Sequence, residues 1–381
     1  MPKLLMVATV SSVFRDFLFP FADYFRSQGW QVDAMASKVS ACPQCVKTFD
    51  RVWDIEFSRN PLELKNLFLA PQTIRAVVAQ EQYDLVHVHT PIAAFITRYT
   101  LNNLRKQNKT KVIYTAHGFH FHSGGNPLKN ALFLSLEKLG GAWTDYLVVI
   151  NRDDEHSAKR FQLVRSEQIV YMPGIGVELN YYNRHNVSET DISKVRQELQ
   201  LAPNDQIFLT IAEFTLNKRH TDMVRALARL GKSEIHLVIA GSGPKPLMDA
   251  TQQLAIELGV EKQVHLLGYR QDIPALICAS VATLLVSERE GLPRCIMESF
   301  CLETPVIGTD IRGIRDLLLD NRGLLVQVGD IEEIAAAMNW ILDNPQKSKL
   351  MGQRGHEHMS AYDLNNILKL HQDLYHKALF C

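Results

Sequence analysis

Tyr83-Asp-Leu-Val-His87, Lys111-Val-Ile-Tyr114 and Tyr146-Leu-Val-Val-Ile150 are the stretches whose reading decides the fold. Each is a short, near-continuous run of Val, Ile, Leu and Tyr, the pattern of a strand covered on both faces in a parallel sheet. Lys3-Leu-Leu-Met-Val-Ala8 is a fourth run of the same kind. The segments between them are long enough for crossover helices, and Arg15–Gln28 ends at Gly29, a helix stop. Farther along, Gln206–Ile211, Ile235–Ile239, Val264–Leu266, Ala282–Val286 and Pro305–Ile307 repeat the pattern. Two successive βαβ series predict an α/β chain of two doubly wound, Rossmann-like domains facing a central cleft. The length of 381 residues agrees, being long for a single core. The turn-rich Tyr171-Met-Pro-Gly-Ile-Gly176 marks the joint, giving domains at 1–178 and 179–364.

Composition narrows the function classes. Apolar residues make up 46% and charged residues 22%, as in an ordinary globular protein. Lys plus Arg number 41 and Asp plus Glu number 41, so no net charge pulls the chain toward nucleic acid. The six cysteines, at 42, 45, 278, 295, 301 and 381, are too scattered for a disulfide framework and fit a reducing compartment. Cys42-Pro-Gln-Cys45 reads as incidental loop thiols, with redox or metal use as the competing reading. The first residues read as a strand and not as a signal peptide, and Ile273–Val286 is too short to span a bilayer. A cytoplasmic protein, at most peripheral at a membrane, is expected.

Ligands of such sheets sit beyond the carboxyl ends of the strands. His89 and Thr90, His117 and Gly118, Asn151, Glu213, Gly241–Gly243 and Ser287–Gly291 all fall there. No G-x-G-x-x-G follows the first strand and no G-x-x-x-x-G-K-[ST] occurs, which turns the reading away from nicotinamide enzymes and P-loop nucleotidases.

Ser287-Glu-Arg-Glu290-Gly291-Leu292-Pro293-Arg-Cys-Ile-Met-Glu298 carries the strongest chemical signal. A strand ends, a loop carries Glu290, and Pro293 suits the first turn of a new helix. Free N–H groups there can bind hydroxyls or phosphate oxygens. Glu290 can accept from sugar hydroxyls and Glu298 from the diol of a ribose. On spacing alone, a surface loop followed by an ordinary helical Glu reads as well.

Glu290-x7-Glu298, followed by Glu303-Thr-Pro-Val-Ile-Gly-Thr-Asp310 and Gly313, resembles the donor-site signature of family 4 retaining glycosyltransferases. Tyr83-Asp-Leu-Val-His-Val-His-Thr-Pro91, Tyr114-Thr-Ala-His-Gly-Phe-His-Phe121, Phe57-Ser-Arg-Asn-Pro61 and Pro173-Gly-Ile-Gly-Val177 resemble the branch that builds bacterial exopolysaccharide and capsule. The resemblance spans essentially the whole chain. It implies the GT-B fold, with 365–381 forming a helix that packs back on the first domain. It also implies transfer of a hexose or N-acetylhexosamine from a nucleotide-sugar, UDP-linked by family habit, with the anomeric configuration retained. An undecaprenyl-diphosphate-linked glycan becomes the expected acceptor, and neither metal nor other cofactor is expected.

By the same resemblance Glu290 contacts the donor sugar, Glu298 the ribose, and Gly291, Leu292 and Pro293 frame the loop. Lys218 matches the diphosphate-binding lysine, and His117 the histidine facing the transferred sugar. Gly241, Tyr269 and Arg270 fall in segments expected around the nucleotide. Ala212-Glu213 stands where many relatives have Gly-Arg, so one arm of the diphosphate clamp is missing, with Arg219 or Arg294 as candidate substitutes. Ser11, Phe14, Phe119 and His120 are expected on the acceptor side, where Thr9-Val-Ser-Ser-Val-Phe14 departs from the glycine-rich loop that relatives often have after the first strand.

Independently of family, a cation fixed in a dry site stabilises charge developing on a departing diphosphate. A solvated lysine in the basic Lys218-Arg-His220 turn is the bland alternative. His117, His120 and His122 invite a zinc reading, yet no acidic or Cys ligand stands at a recognisable spacing. The aromatic run Phe14–Phe25 reads first as a helix burying a stripe on the sheet. With Asn126–Leu139 it could instead dock a lipid-linked acceptor. The competing functions are a nucleotide-sugar 2-epimerase, a phosphorylase and a non-catalytic relative.

Overall fold

The computed structural model describes residues 1–58, 63, 65–122 and 124–380. Arg59, Asn60 and Pro61 of the quoted motif, and Cys381, lie outside the described residues. By its own contacts the chain divides into two compact units, Met1–Ile175 with Asn365–Cys381, and Gly176–Leu364.

The first unit holds a seven-stranded parallel sheet in the order β3-β2-β1-β4-β5-β6-β7. Its strands are β1 (Lys3–Val10), β2 (Gln31–Ser37), β3 (Val52–Asp54), β4 (Leu85–His89), β5 (Lys111–Ala116), β6 (Tyr146–Val149) and β7 (Ile169–Tyr171). The helices between them are α1 (Phe19–Ser27), α2 (Pro43–Thr48), α3 (Ala70–Glu81), α4 (Pro91–Lys106), α5 (Pro127–Gly141) and α6 (Arg152–Arg160). In the second unit, α7 (Glu189–Glu198) precedes a six-stranded parallel sheet ordered β10-β9-β8-β11-β12-β13. Its strands are β8 (Gln206–Ile211), β9 (Ile235–Ala240), β10 (Val264–Gly268), β11 (Ala282–Leu285), β12 (Val306–Thr309) and β13 (Gly323–Val326). Around them lie α8 (His220–Leu230), α9 (Lys245–Glu257), α10 (Ile273–Cys278), α11 (Arg294–Cys301), α12 (Ile314–Leu318), α13 (Ile331–Asp343) and α14 (Pro345–His358). Then α15 (Leu364–Phe380) returns to the first unit.

The central strands are almost wholly buried, including Leu4, Leu5, Val7, Val86, Val88, Val112 and Ile113 in one sheet and Phe208, Leu209, Val238 and Ile239 in the other. Each such side chain withdrawn from water contributes about 2 kcal/mol, which is why these runs settle on central strands. The order in each sheet reverses direction around β1 or β8, and parallel pairing throughout brings all carboxyl ends of a sheet to one side.

Several elements depart from the sequence reading. β2 was not anticipated because Asp33 interrupts its apolar run. Asp33 is fully buried and accepts a 2.5 Å hydrogen bond from the Tyr83 hydroxyl. Burial raises its carboxyl above the usual range, although Tyr83 and Gln31 donate to it. The edge strands β3, β7 and β13 are three or four residues long and only partly buried, too short and too wet to stand out. The helix expected over Arg15–Gln28 splits into a π-helical turn, Phe14–Leu18, followed by α1. Pro20 has no N–H to return to the Asp16 carbonyl, and Phe19 N–H bonds instead to Phe14.

α15 docks on α1 through Tyr24 Oη, which donates to Gln372 Oε1 at 2.7 Å, and through Phe25 stacked on Tyr375 at 4.7 Å. Cys42 and Cys45 are joined as a disulfide across the first turn of α2, with Cα atoms 5.2 Å apart. That corrects their reading as incidental loop thiols, since a C-x-x-C at a helix start holds its Cα atoms within bridging distance.

Candidate functional site

In the second unit the loop after β11 is clamped to the loop after β8. Glu288 N–H donates to the Asn217 carbonyl and Asn217 Nδ2 to the Arg289 carbonyl, both at 2.9 Å. This lays the 3-10 turn Leu216–Lys218 alongside Glu290, and Lys218 Nζ meets Glu290 Oε1 at 2.6 Å. Both side chains are mostly withdrawn from water. Burial by itself would lower the Lys218 ammonium, but attraction to Glu290 and its hydrogen bond outweigh that and raise it above the usual lysine range. An ammonium has three donors. Glu290 takes one, so two remain for an incoming anion.

Gly291 is in close contact with the loop after β12. A Cβ on Gly313 would stand 2.0 Å from the Gly291 carbonyl oxygen, and Gly313 has φ +76°, so only glycine allows the two loops to meet. Arg312 adds a hydrogen bond from Nε to the Glu290 carbonyl at 3.3 Å. Leu292 is buried, and Pro293 sits at the N-cap of α11, one residue before the position expected for it.

Glu298 lies on α11, 4% exposed. Its Oε1 accepts from Tyr182 Oη and from Arg294 Nε, each at 2.8 Å. The two donors pin one carboxylate oxygen, while Oε2 has no hydrogen bond to any described residue and is not sealed from solvent. Tyr182 was not foreseen: it lies in the polar segment after the joint, 116 residues from its partner, and nothing local marks it. Cys295, beside this cluster, has its thiol pushed up to about 12, chiefly by burial, and stays protonated.

The two candidate substitutes for the missing clamp arginine are already engaged with carboxylates. Arg219, at φ +51°, pairs with Asp222 and Glu288, and Arg294 pairs with Glu298. Glu213 is exposed beside Phe214. Gly241 closes an isolated bridge to Gly268, and a Cβ on it would meet the Ala212 carbonyl at 1.8 Å. Tyr269 is exposed, and the Arg270 guanidinium is committed to Glu198 and Asp272.

The carboxyl end of the first unit is built differently. His89 ends β4 and His117 follows β5, with His89 Nδ1 and His117 Nε2 3.1 Å apart. Burial holds His89 well below the ordinary histidine range and His117 at about 4, so both rings are neutral at pH 7. Thr90 follows with φ +68°, strained for a β-branched residue and costing roughly 1–3 kcal/mol. Thr9 holds it there through its N–H at 3.0 Å and its hydroxyl at 2.7 Å. Ser11 lies partly exposed at the end of β1. His120 packs its ring on Phe133, so His117 and His120 face different partners. Phe14 and Phe119 were expected on the acceptor side. Both are buried, Phe14 edge-on to Phe49 and Phe119 stacked on Phe121, and they are core side chains.

Residues 3–151 match the family described as glycosyl transferase 4-like, and residues 191–358 the family described as glycosyl transferases group 1. A Bacillus subtilis protein assigned as the glycosyltransferase EpsD is 33% identical over 360 residues, covering 93% of this chain and 91% of its own. The chain belongs to the family 4 glycosyltransferases. Another relative in this family is the UDP-Gal:alpha-D-GlcNAc-diphosphoundecaprenol alpha-1,3-galactosyltransferase of Escherichia coli, 24% identical over 70% of this chain and 68% of its own. Among solved structures, Anabaena HepE in complex with UDP and glucose superposes with a TM-score of 0.82 at 19% identity, covering 99% of this chain and all of that one. Sucrose-phosphate synthase of Thermosynechococcus elongatus gives 0.81 at 18% identity, covering 99% of each chain. The two sheets are those of the GT-B glycosyltransferase fold.

Proposed function

We propose that this glycosyltransferase moves a hexose or N-acetylhexosamine from a UDP-sugar to a lipid-linked glycan, with retention of anomeric configuration. The observation that carries the reading is Glu298. It is a buried carboxylate with one oxygen pinned by Tyr182 and Arg294 and the other without a hydrogen bond to any described residue. A fixed acceptor of this kind suits the vicinal hydroxyls of a ribose, and Glu290, on the loop ahead of α11 and paired with Lys218, suits a sugar diphosphate. Lys218 would take the negative charge that grows on the diphosphate as the sugar leaves, and Glu290 would accept from sugar hydroxyls. These groups supply the charge stabilisation for which other transferases use a divalent ion. The acceptor hydroxyl would then attack on the face that the nucleotide leaves, and the family resemblance supports a sugar-facing role for His117.

The lipid-linked acceptor rests on the kinship with the Escherichia coli enzyme, whose name carries such a substrate, and on α5. Leu128, Leu132 and Leu139 are exposed on that helix together with Lys129 and Lys138, while its Glu137 turns inward to the buried Arg98. An apolar, cationic outer face suits peripheral contact with an anionic membrane surface. No helix among the described residues is long and apolar enough to cross a membrane.

A thermal-shift screen over UDP-, GDP- and dTDP-sugars tests the donor, because a ligand that binds only the folded state raises the melting temperature. A UDP-sugar should give the largest rise, and nucleotide release should accelerate with an undecaprenyl-diphosphate-linked glycan. Release of a free epimerised sugar without acceptor would favour an epimerase instead.

A further inference from the structure

We propose that His89 is a positioning residue: its Nδ1–H holds His117 in the tautomer that carries the proton on Nδ1, presenting it to substrate as a neutral hydrogen-bond donor. The proposal deepens, and rests on, the reading of His117 as a sugar-facing residue.

The argument is a count of protons. His89 Nδ1 and His117 Nε2 lie 3.1 Å apart, and between two neutral imidazoles one nitrogen must donate and the other accept. The far nitrogen of His89 decides which. His89 is 3% exposed, and its Nε2 is sealed from solvent without a hydrogen bond to any described residue. A proton placed on Nε2 would be an orphaned buried N–H, which folded proteins rarely tolerate, whereas a bare ring nitrogen forfeits only an acceptor contact. The proton therefore belongs on Nδ1, which donates to His117 Nε2. His117 must then hold its own proton on Nδ1. That nitrogen makes no hydrogen bond with a described residue, and the His117 ring is only partly buried.

The surroundings leave His89 little freedom to turn. Its ring lies between His87, with centroids 4.2 Å apart, and His117, at 5.4 Å. His87 is itself held by the Tyr375 hydroxyl at 2.5 Å on Nδ1 and by Thr115 Oγ1 at 2.7 Å on Nε2. The strained Thr90 fixes the backbone immediately after His89. A row of neutral rings thus runs from α15 to His117, and His89 is the member that touches it.

Long-range ¹H–¹⁵N spectra of the histidine-labelled full chain at pH 7.5 test the assignment without any ligand. Protonated Nδ1 and bare Nε2 on both His89 and His117 are expected; a proton on His117 Nε2 would overturn the proposal. Kinetics test the consequence, read as UDP release from whichever of UDP-glucose, UDP-galactose and UDP-N-acetylglucosamine is turned over. His89→Leu should lower kcat about tenfold with little change in KM. His89→Asn, whose amide can donate from the place of Nδ1, should restore most of it, and His89→Gln should not. His89→Leu added to His117→Ala should cost nothing more. A costly His117→Ala beside a neutral, folded His89→Leu sinks the positioning role. A neutral His117→Ala sinks the reading of His117 itself, while the spectra still decide the tautomer.

Discussion

The carboxyl ends of the two sheets solve the same problem with opposite chemistry. In the second unit the polar groups are charged and already paired: Lys218 with Glu290, Arg219 with Glu288 and Asp222, Arg294 with Glu298. In the first unit they are neutral: His87, His89, His117 and His371 are all held below the ordinary histidine range, chiefly by burial. Paired charges can exchange partners when an anion arrives, and Lys218 keeps donors beyond the one that Glu290 takes. Neutral rings cannot draw an anion, but they orient a hydrogen bond without competing for the diphosphate. On the proposed function, one end holds charge and the other places a hydroxyl.

The largest test of that contrast removes a charge. Lys218→Ala should lower turnover about 10³-fold, the scale of losing a preorganised charge stabiliser, and Glu290→Ala about 10²-fold in steady-state transfer assays. If Lys218→Ala stayed within tenfold of the parent, the second unit would not be the charge-holding half. The neutral rings make a prediction in pH. His117 and His371 titrate near 4 when folded, below the unfolded value of about 6.5. Between those values the unfolded chain binds more protons, so stability is complete above pH 6.5 and is lost as pH falls toward 4. Each group can withdraw roughly 3 kcal/mol at the acid end. Hydrogen exchange should show the strand-end peptides of β4 and β5 opening before those of β11; the reverse order would break the comparison.

Smaller effects sharpen it. Glu298→Gln keeps the pinned oxygen but loses the charge, and should raise the donor KM about tenfold with kcat nearly unchanged. Tyr182→Phe should raise it only a few-fold, about the value of one hydrogen bond. Tyr269→Ala should stay within about twofold, because the exposed ring makes no contact that holds the site.

Much of the architecture was legible residue by residue. β8 was read at its observed bounds because Gln206-Ile-Phe-Leu-Thr-Ile211 is a short, mostly apolar run. β2 was hidden because a buried Asp33 is affordable only when Tyr83, 50 residues away, donates to it. The aromatic residues misled for a related reason. Phe14 and Phe119 look like contact residues in a strand-end loop, and only the packing of Phe49 and Phe121 shows them to be core. Spacing alone left Glu290 and Glu298 open to an ordinary loop and helix, and the family resemblance singled them out; their partners were invisible, since Lys218 and Glu290 are 72 residues apart, and Tyr182 and Glu298 are 116.

Sequence alone determined the alternation of buried strands and crossover helices, and the glutamate loop ahead of a helix. Both are written in patterns a few residues long, where the period of the backbone repeats locally. Only the tertiary structure decided which partner each charge meets, which oxygen of Glu298 is left to an outside donor, and which nitrogen of His89 holds its proton. Desolvation and hydrogen bonding are set by neighbours brought from distant parts of the chain, and no local pattern records them.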